Sequence, residues 1–201
     1  LTIFHLMGQH VNYKQRYRLN QGKFWASSYE DKRPELTNAQ RKMLSHYDNA
    51  TLYNDSIVAQ IVKRFQKQNA IIIYVPDHGE ECYEENRGFI CRNHSANIDW
   101  PLAHYEFEIP FWIYCSPKYI KAHRKIYKQI RAAKDKRFMT DALPHLLLYL
   151  AGIETPTYKE EYNILSPKYN EMRPRILKNS VDYDKLRDEY YKKQEKKGAK
   201  K

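Results

Sequence analysis

The chain has 201 residues, 42% of them hydrophobic and only 6 of them Gly, which supports one folded domain or a large piece of one and excludes a low-complexity or collagen-like chain. No apolar run approaches the roughly 18 residues of a membrane-spanning helix, and no basic, apolar, small-residue leader is visible. The net charge of +11 is uneven: residues 1–100 carry 13 Lys and Arg against 11 Asp and Glu and the rest 22 against 13, so the second half either favours anionic partners or presents a solvated face.

Leu1 to Leu6 is apolar and β-branched and reads as a buried strand already under way, as though the chain were a segment of something longer. Residues 8–36 are polar, Tyr-rich and broken by Pro34, a long loop. Thr37 and Gln40 make a capping-box pattern. After it Leu44, Tyr47, Thr51, Asn54, Val58, Ile61 and Phe65 recur at alternating steps of three and four, which predicts one helix over about 38–68. Asn54 is the polar member of that face and needs a buried partner.

Ala70 to Val75 is a continuous apolar run, a strand buried on both faces and ended by Pro76. Residues 77–104 are aperiodic and rich in ligand-type side chains. Glu108 to Cys115 predicts another strand, with Pro110 pushing it toward an edge or a bulge. Ser116 to Ala133 is basic and helical in pattern. Thr140 to Leu150 predicts a helix capped by Thr140, with Pro144 tolerated in its first turn and Gly152 at its end. Thr155 to Leu177 looks irregular, and 181–201 is almost wholly charged or Tyr, a solvated helix fraying into a tail. The expected organisation is therefore a domain over 1–178 and a charged tail over 179–201. Strands separated by helices predict an α/β layered domain, in which ligands gather at the carboxyl ends of strands.

Two segments follow such strand ends: Gly8-Gln9-His10 and Asp77-His78-Gly79-Glu80. Adjacent carboxylate and imidazole before a turn-permitting glycine suit a zinc ion at about 2.0–2.2 Å, or else form an Asp-capped turn with a solvated His. His10 and His94 lie in ligand-type loops and are either further site residues or surface imidazoles. His46 and His123 read as surface residues and His145 as a satisfied core or boundary residue. Most of Glu80, Glu81, Glu84 and Glu85 read as solvated or paired with Arg87 and Arg92. Cys82, Cys91 and Cys115 give no disulfide framework and no CxxC zinc motif. Cys82 and Cys91 could pair in an oxidising compartment, and Cys115 reads as a buried free thiol. No GxSxG, Walker or GxGxxG motif occurs.

Four segments occur in a telling order: His5-Leu6-Met7-Gly8-Gln9-His10; Tyr47-Asp48-Asn49-Ala50 with Asn54 and Asp55; Tyr74-Val75-Pro76-Asp77-His78-Gly79-Glu80-Glu81; and Glu108-Ile109-Pro110-Phe111-Trp112-Ile113. Over about residues 1–150 this order resembles the lipid A and lipopolysaccharide phosphoethanolamine transferases, including the mobile colistin-resistance enzymes, of the alkaline phosphatase and sulfatase superfamily. The resemblance implies a mixed sheet between helix layers with metals at the strand ends. It implies a reaction in which a zinc-activated threonine takes phosphoethanolamine from phosphatidylethanolamine and passes it to lipid A or lipopolysaccharide core. Carried over by motif, Asp77 and His78 match the zinc-ligand pair, and His10 and His94 match histidines that serve the phosphate or a second zinc, with His104 competing for the role of His94. One or two Zn²⁺ ions are thus expected.

The family's threonine and its other carboxylate ligand lie upstream of the first segment, so the N-terminal part of the catalytic domain is expected to be missing and the chain alone inactive. The same resemblance implies the periplasmic face of the bacterial inner membrane, attachment through N-terminal helices outside this chain, a monomer, and no nucleic-acid partner. Two alternatives stay open: a sulfatase or phosphodiesterase of the same superfamily with water as acceptor, and a noncatalytic basic module binding anionic lipid.

Overall fold

The computed structural model describes residues 1–88, 91–92 and 97–198. Helix α1 spans Asn38–Phe65 and begins at the expected capping box. The Thr37 N–H donates to Gln40 Oε1 at 2.7 Å, and the Gln40 N–H donates back to Thr37 Oγ1 at 3.3 Å. Two amides that the first helical turn leaves without backbone partners are thereby satisfied. The predicted face, from Leu44 to Phe65, is buried or half-buried throughout.

The chain divides into two units. The first comprises Leu1–Lys67, Pro76–Ala96 and Tyr105–Pro110. Its core joins Tyr29, Leu36 and Leu44 to Cys82 and Tyr83, with Tyr47 against them. The Tyr-rich loop before α1 is not loose. It folds into three short 3₁₀ turns, at Tyr13–Gln15, Leu19–Gln21 and Ala26–Tyr29, of which the first and last lie on α1. Asn49, 3% exposed on α1, fastens this loop. Its Oδ1 accepts from the Lys23 and Phe24 amides at 2.6 and 3.0 Å, and its Nδ2 donates to Phe24 O at 2.8 Å. Tyr29 OH donates to Asp48, and Tyr17 OH lies 2.8 Å from His46 Nδ1. His46, expected at the surface, is half-buried by this contact.

The expected first strand does not form. Residues 1–6 have no regular secondary structure, and Leu1, Ile3 and Phe4 are exposed. A strand is held by ladder partners, and among the described residues none pairs with this segment. Phe4 meets Phe65 edge-on with ring centroids 6.1 Å apart.

The second unit comprises Gln68–Val75, Asn97–His104 and Phe111–Lys201. Strands β1 (Ile71–Tyr74) and β2 (Trp112–Cys115) pair antiparallel, from Ile71 opposite Cys115 to Tyr74 opposite Trp112. The last pair stacks its rings at 5.2 Å and 12°. Pro110 falls outside the ladder, where its missing N–H costs nothing. The four β1 residues are half-buried rather than buried on both faces.

Helix α2 is the short turn Trp100–Leu102. The basic stretch forms two helices, α3 (Pro117–Ala122) and α4 (Arg124–Ala132), separated at His123. Ser116, fully buried, caps α3 by accepting from the Tyr119 N–H at 3.1 Å, and its hydroxyl donates to Gln68 O at 2.6 Å. Thr140 opens a 3₁₀ turn instead of capping the helix; α5 itself spans Leu143–Ala151 with Pro144 in its first turn. Gly152, at φ 64°, ends α5 as expected, its N–H reaching Leu148 O and Tyr149 O.

Leu146, Ala133, Ile164 and Leu165 form this unit's core, with Ile73, Phe111, Ile113, Ile126 and Ile130 packed around them. A second ribbon, β3 (Ile176–Leu177) with β4 (Val181–Asp182), leads into α6, Tyr183–Gly198. Helix α6 is not wholly solvated, because Trp100 packs against Tyr183, Tyr190 and Tyr191.

Candidate functional site

The site is built within the first unit from three stretches that follow one another only in space. Pro76 precedes Asp77, whose Oδ1 accepts the His78 N–H at 3.2 Å. The Asp77 side chain is 91% exposed and that of His78 21%. The His78 ring is turned by its own backbone: Nδ1 lies 2.7 Å from Gly79 O. A carbonyl only accepts, so Nδ1 carries a proton. Nε2 sits 3.7 Å from Asp77 Oδ2.

The next residue must be glycine. A Cβ on Gly79 would fall 2.1 Å from Tyr105 O, and the Gly79 N–H donates to Glu106 O at 2.8 Å.

His10 arrives by a turn. Gly8 adopts φ +46°, and the His10 N–H closes onto Met7 O at 3.0 Å. The turn is held by Gln9 Nε2 donating to Thr51 Oγ1 at 3.1 Å and by Arg16 donating to the His10 and Val11 carbonyls. His10 Nδ1 faces Val11 O at 3.4 Å, which leaves its Nε2 as an acceptor too.

Arg92 joins the two imidazoles. Its Nη1 is 3.2 Å from His78 Nε2 and its Nη2 2.9 Å from His10 Nε2. A guanidinium has donors only, so both rings must accept, in the tautomer their backbone carbonyls already impose. A cation therefore lies where two ring nitrogens converge.

Behind it, Glu80 accepts from Tyr13 OH, and Cys91 Sγ lies 3.8 Å from Glu80 Oε1 and 3.7 Å from Tyr13 OH. Burial raises the Glu80 pKa, against the opposing pull of the Tyr13 hydrogen bond and the Arg92 charge. Burial and the Glu80 carboxylate drive Tyr13 well above the usual phenol range. Glu81 takes the paired of its two expected states: it is fully buried, Arg87 Nε lies 2.7 Å from its Oε1, and its backbone bridges to Cys91. Glu84 accepts from the Cys82 N–H.

Of the expected site residues, Asp77, His78 and His10 are brought into one neighbourhood. His94 lies outside the described residues. His104 belongs to the second unit and stacks on Trp100 at 5.6 Å and 16°. Cys82 and Cys91 are free thiols, so the pairing that an oxidising compartment would allow is not present. Cys82 is committed to the apolar core of the unit and Cys91 to the Tyr13–Glu80 group.

The donor set fits zinc in kind, an Asp oxygen beside imidazole nitrogens whose tautomers backbone carbonyls fix. It is short in number, because among the described residues no three His, Cys, Asp or Glu side chains converge as a metal-holding group.

A model of the Sulfatase family matches residues 1–153. The chain belongs to the sulfatase family. Among the relatives of this sulfatase-family chain, phosphoethanolamine transferase EptC of Escherichia coli K12 is 33% identical over 193 residues, 92% of this chain and 32% of that protein. The Kdo(2)-lipid A phosphoethanolamine 7''-transferase of the same strain is 29% identical over 145 residues, 68% of this chain and 23% of that one. The crystal structure of the C-terminal periplasmic domain of EptC from Escherichia coli, in complex with Zn, matches with a TM-score of 0.70 at 29% identity, covering 88% of this chain and 49% of the solved one. The chain thus spans about a third of the EptC protein and about half of the solved domain. The sulfatase-type fold expected from the sequence is borne out by this match.

Three members of the cluster escaped the sequence patterns. By pattern Arg92 is a partner for acidic neighbours, Tyr13 one loop tyrosine among many, and Glu80 one of an acidic run that is solvated or paired with Arg87 and Arg92. The available signal was position: Tyr13 lies three residues from His10, and Glu80 two from His78.

Proposed function

We propose that this chain is part of a metal-dependent phosphoethanolamine transferase. It takes the group from phosphatidylethanolamine and delivers it to lipid A or lipopolysaccharide core at the periplasmic face of the inner membrane. The observation that carries the reading is the convergence of His10 and His78, each presenting Nε2 to one cation beside Asp77. The names of the relatives support the transferred group, and the zinc complex of the solved domain supports the metal. Asp77 and His78 would hold a zinc ion, and His10 and His94 would serve the phosphate or a second ion.

The reaction has two balanced displacements. A threonine oxygen outside this chain attacks phosphorus, and diacylglycerol leaves with the threonine's proton. The acceptor's oxygen then attacks the phosphothreonine, the P–O bond to threonine breaks, and the threonine oxygen leaves with the acceptor's proton. Zinc, when bound, acidifies the nucleophile and draws off charge from the phosphoryl oxygens. Arg92 offers further fixed donors for that charge, and the Gly79 and Val11 carbonyls keep each imidazole in its accepting tautomer.

The test is Asp77→Ala in the full-length protein, read as phosphoethanolamine added to lipid A by mass spectrometry together with bound zinc. Loss of an outer partner in a metal site typically costs about 10–100-fold, so loss of a ligand should exceed that, with zinc lost alongside. Glu84→Gln keeps an acceptor for the Cys82 N–H and should spare both readouts. Equal damage from the two changes would show that another acid holds the metal. The family also contains hydrolases; release of the phosphoryl or sulfuryl group to water with no mass gain on lipid A would assign the site to them instead.

A further inference from the structure

The second unit carries a face that the transfer reaction does not use. From Ser116 to Lys134 the sequence contains seven Lys and Arg and no Asp or Glu. All seven, Lys118, Lys121, Arg124, Lys125, Lys128, Arg131 and Lys134, are exposed. Among the described residues only Lys134 pairs with a carboxylate, that of Asp135 at 3.6 Å.

Helix geometry explains why the charge is gathered. At about 100° per residue, Arg124, Lys125, Lys128 and Arg131 fall within about one third of the circumference of α4. Ile126 and Ile130 point the other way, into the core with Ala133 and Leu146. Folding this amphipathic helix therefore obliges its cations to share one side.

We propose that the exposed side of α3 and α4 is a docking surface for an anionic phospholipid bilayer. Clusters of four to eight Lys or Arg are what such headgroups attract, each cation near the surface contributing about fivefold in binding. Long cationic stems, six of the seven without a carboxylate partner among the described residues, suit mobile phosphates better than the fixed carboxylates of a protein partner. Single-stranded nucleic acid would want exposed aromatic platforms. Here Tyr119 is buried, and Tyr127 is half-buried with Arg131 reaching its hydroxyl at 3.5 Å. The face also lacks an exposed large apolar side chain, so it rests on headgroups without inserting and its binding is wholly electrostatic. This surface needs neither metal nor nucleophile, so it stands or falls separately from the transfer reaction.

The test is co-sedimentation of the 201-residue protein with vesicles of phosphatidylcholine alone or mixed with phosphatidylglycerol. Binding should require phosphatidylglycerol and vanish as salt shortens the screening length from about 10 Å at 0.1 M to about 3 Å at 1 M. The variant Arg124→Gln/Lys125→Gln/Lys128→Gln/Arg131→Gln keeps good helix formers on α4 and should bind at least about tenfold more weakly. Circular dichroism confirms that it folds. A matched variant, Lys14→Gln/Lys23→Gln/Lys32→Gln/Lys63→Gln, removes the same charge from exposed lysines of the first unit. Equal loss from both variants would reduce the effect to net charge and overturn the proposal. So would absence of binding, binding that survives high salt, or tighter retention on a DNA oligomer than on the vesicles.

Discussion

At the scale of single residues, the fixed point of the site is the direction of two lone pairs. His78 has its tautomer set by a 2.7 Å contact with Gly79 O, whereas His10 has a 3.4 Å contact with Val11 O. Both also accept from Arg92. The longer contact is the weaker, so His10 leans more on Arg92 than His78 does. In metal-free protein Arg92→Ala should therefore let His10 populate both tautomers while His78 keeps its proton on Nδ1. Long-range ¹⁵N–¹H spectra of the imidazoles read this directly; equal change at both rings would refute the ranking. The sequence offered Asp77, His78 and His10 because adjacency and loop position mark ligand-type residues. It could not offer Arg92, since its partners lie 14 and 82 residues away and no local pattern records them.

At the scale of elements, α1 was legible down to its first turn. A capping box and a 3,4-spaced face are local features, and local features survive folding. The absence of a strand at residues 1–6 was not legible, because a strand is a relation between segments and not a property of one. The same limit hid the antiparallel pairing of β1 with β2, although each strand was expected.

The clearest non-local device is Asn49, visible in sequence only as a member of a motif. It converts a loop that should fray into one that is fastened to α1 at both backbone polarities. Asn49→Ala leaves the Lys23 and Phe24 amides without their acceptor, and losses of this kind cost about 1–3 kcal/mol. Amide exchange at residues 23 and 24 should accelerate while α1 keeps its helicity. Unchanged protection at those two amides would mean that the loop is held by its tyrosines alone.

At the scale of the whole molecule, a strongly basic chain is held together partly by the few carboxylates that its arginines surround. In the second unit Asp184 receives Arg175 through two contacts, at 2.6 and 3.2 Å, with Arg137 and Arg187 nearby. Asp141 receives Arg173 through two more, at 2.6 and 2.7 Å. The hydrogen bonds from Arg175 and Arg173 hold these two carboxyls below the usual aspartate range. Asp141 is about half exposed, so solvent screens much of its share, and Asp184, at 21%, is the better anchor. A lowered folded-state pKa means that the stabilisation is present above the unfolded value of about 3.9 and is lost as pH falls through the folded value. Thermal unfolding should therefore be nearly flat from neutral pH down to about 5 as far as these groups are concerned, and the midpoint should fall steeply below about 4. Asp184→Asn should lower the midpoint at neutral pH and flatten the acid limb, because the group whose protonation drives it is gone. A variant that lost stability at neutral pH but kept the full acid slope would place the acid sensitivity elsewhere, and Asp141→Asn would then be the next carboxylate to examine.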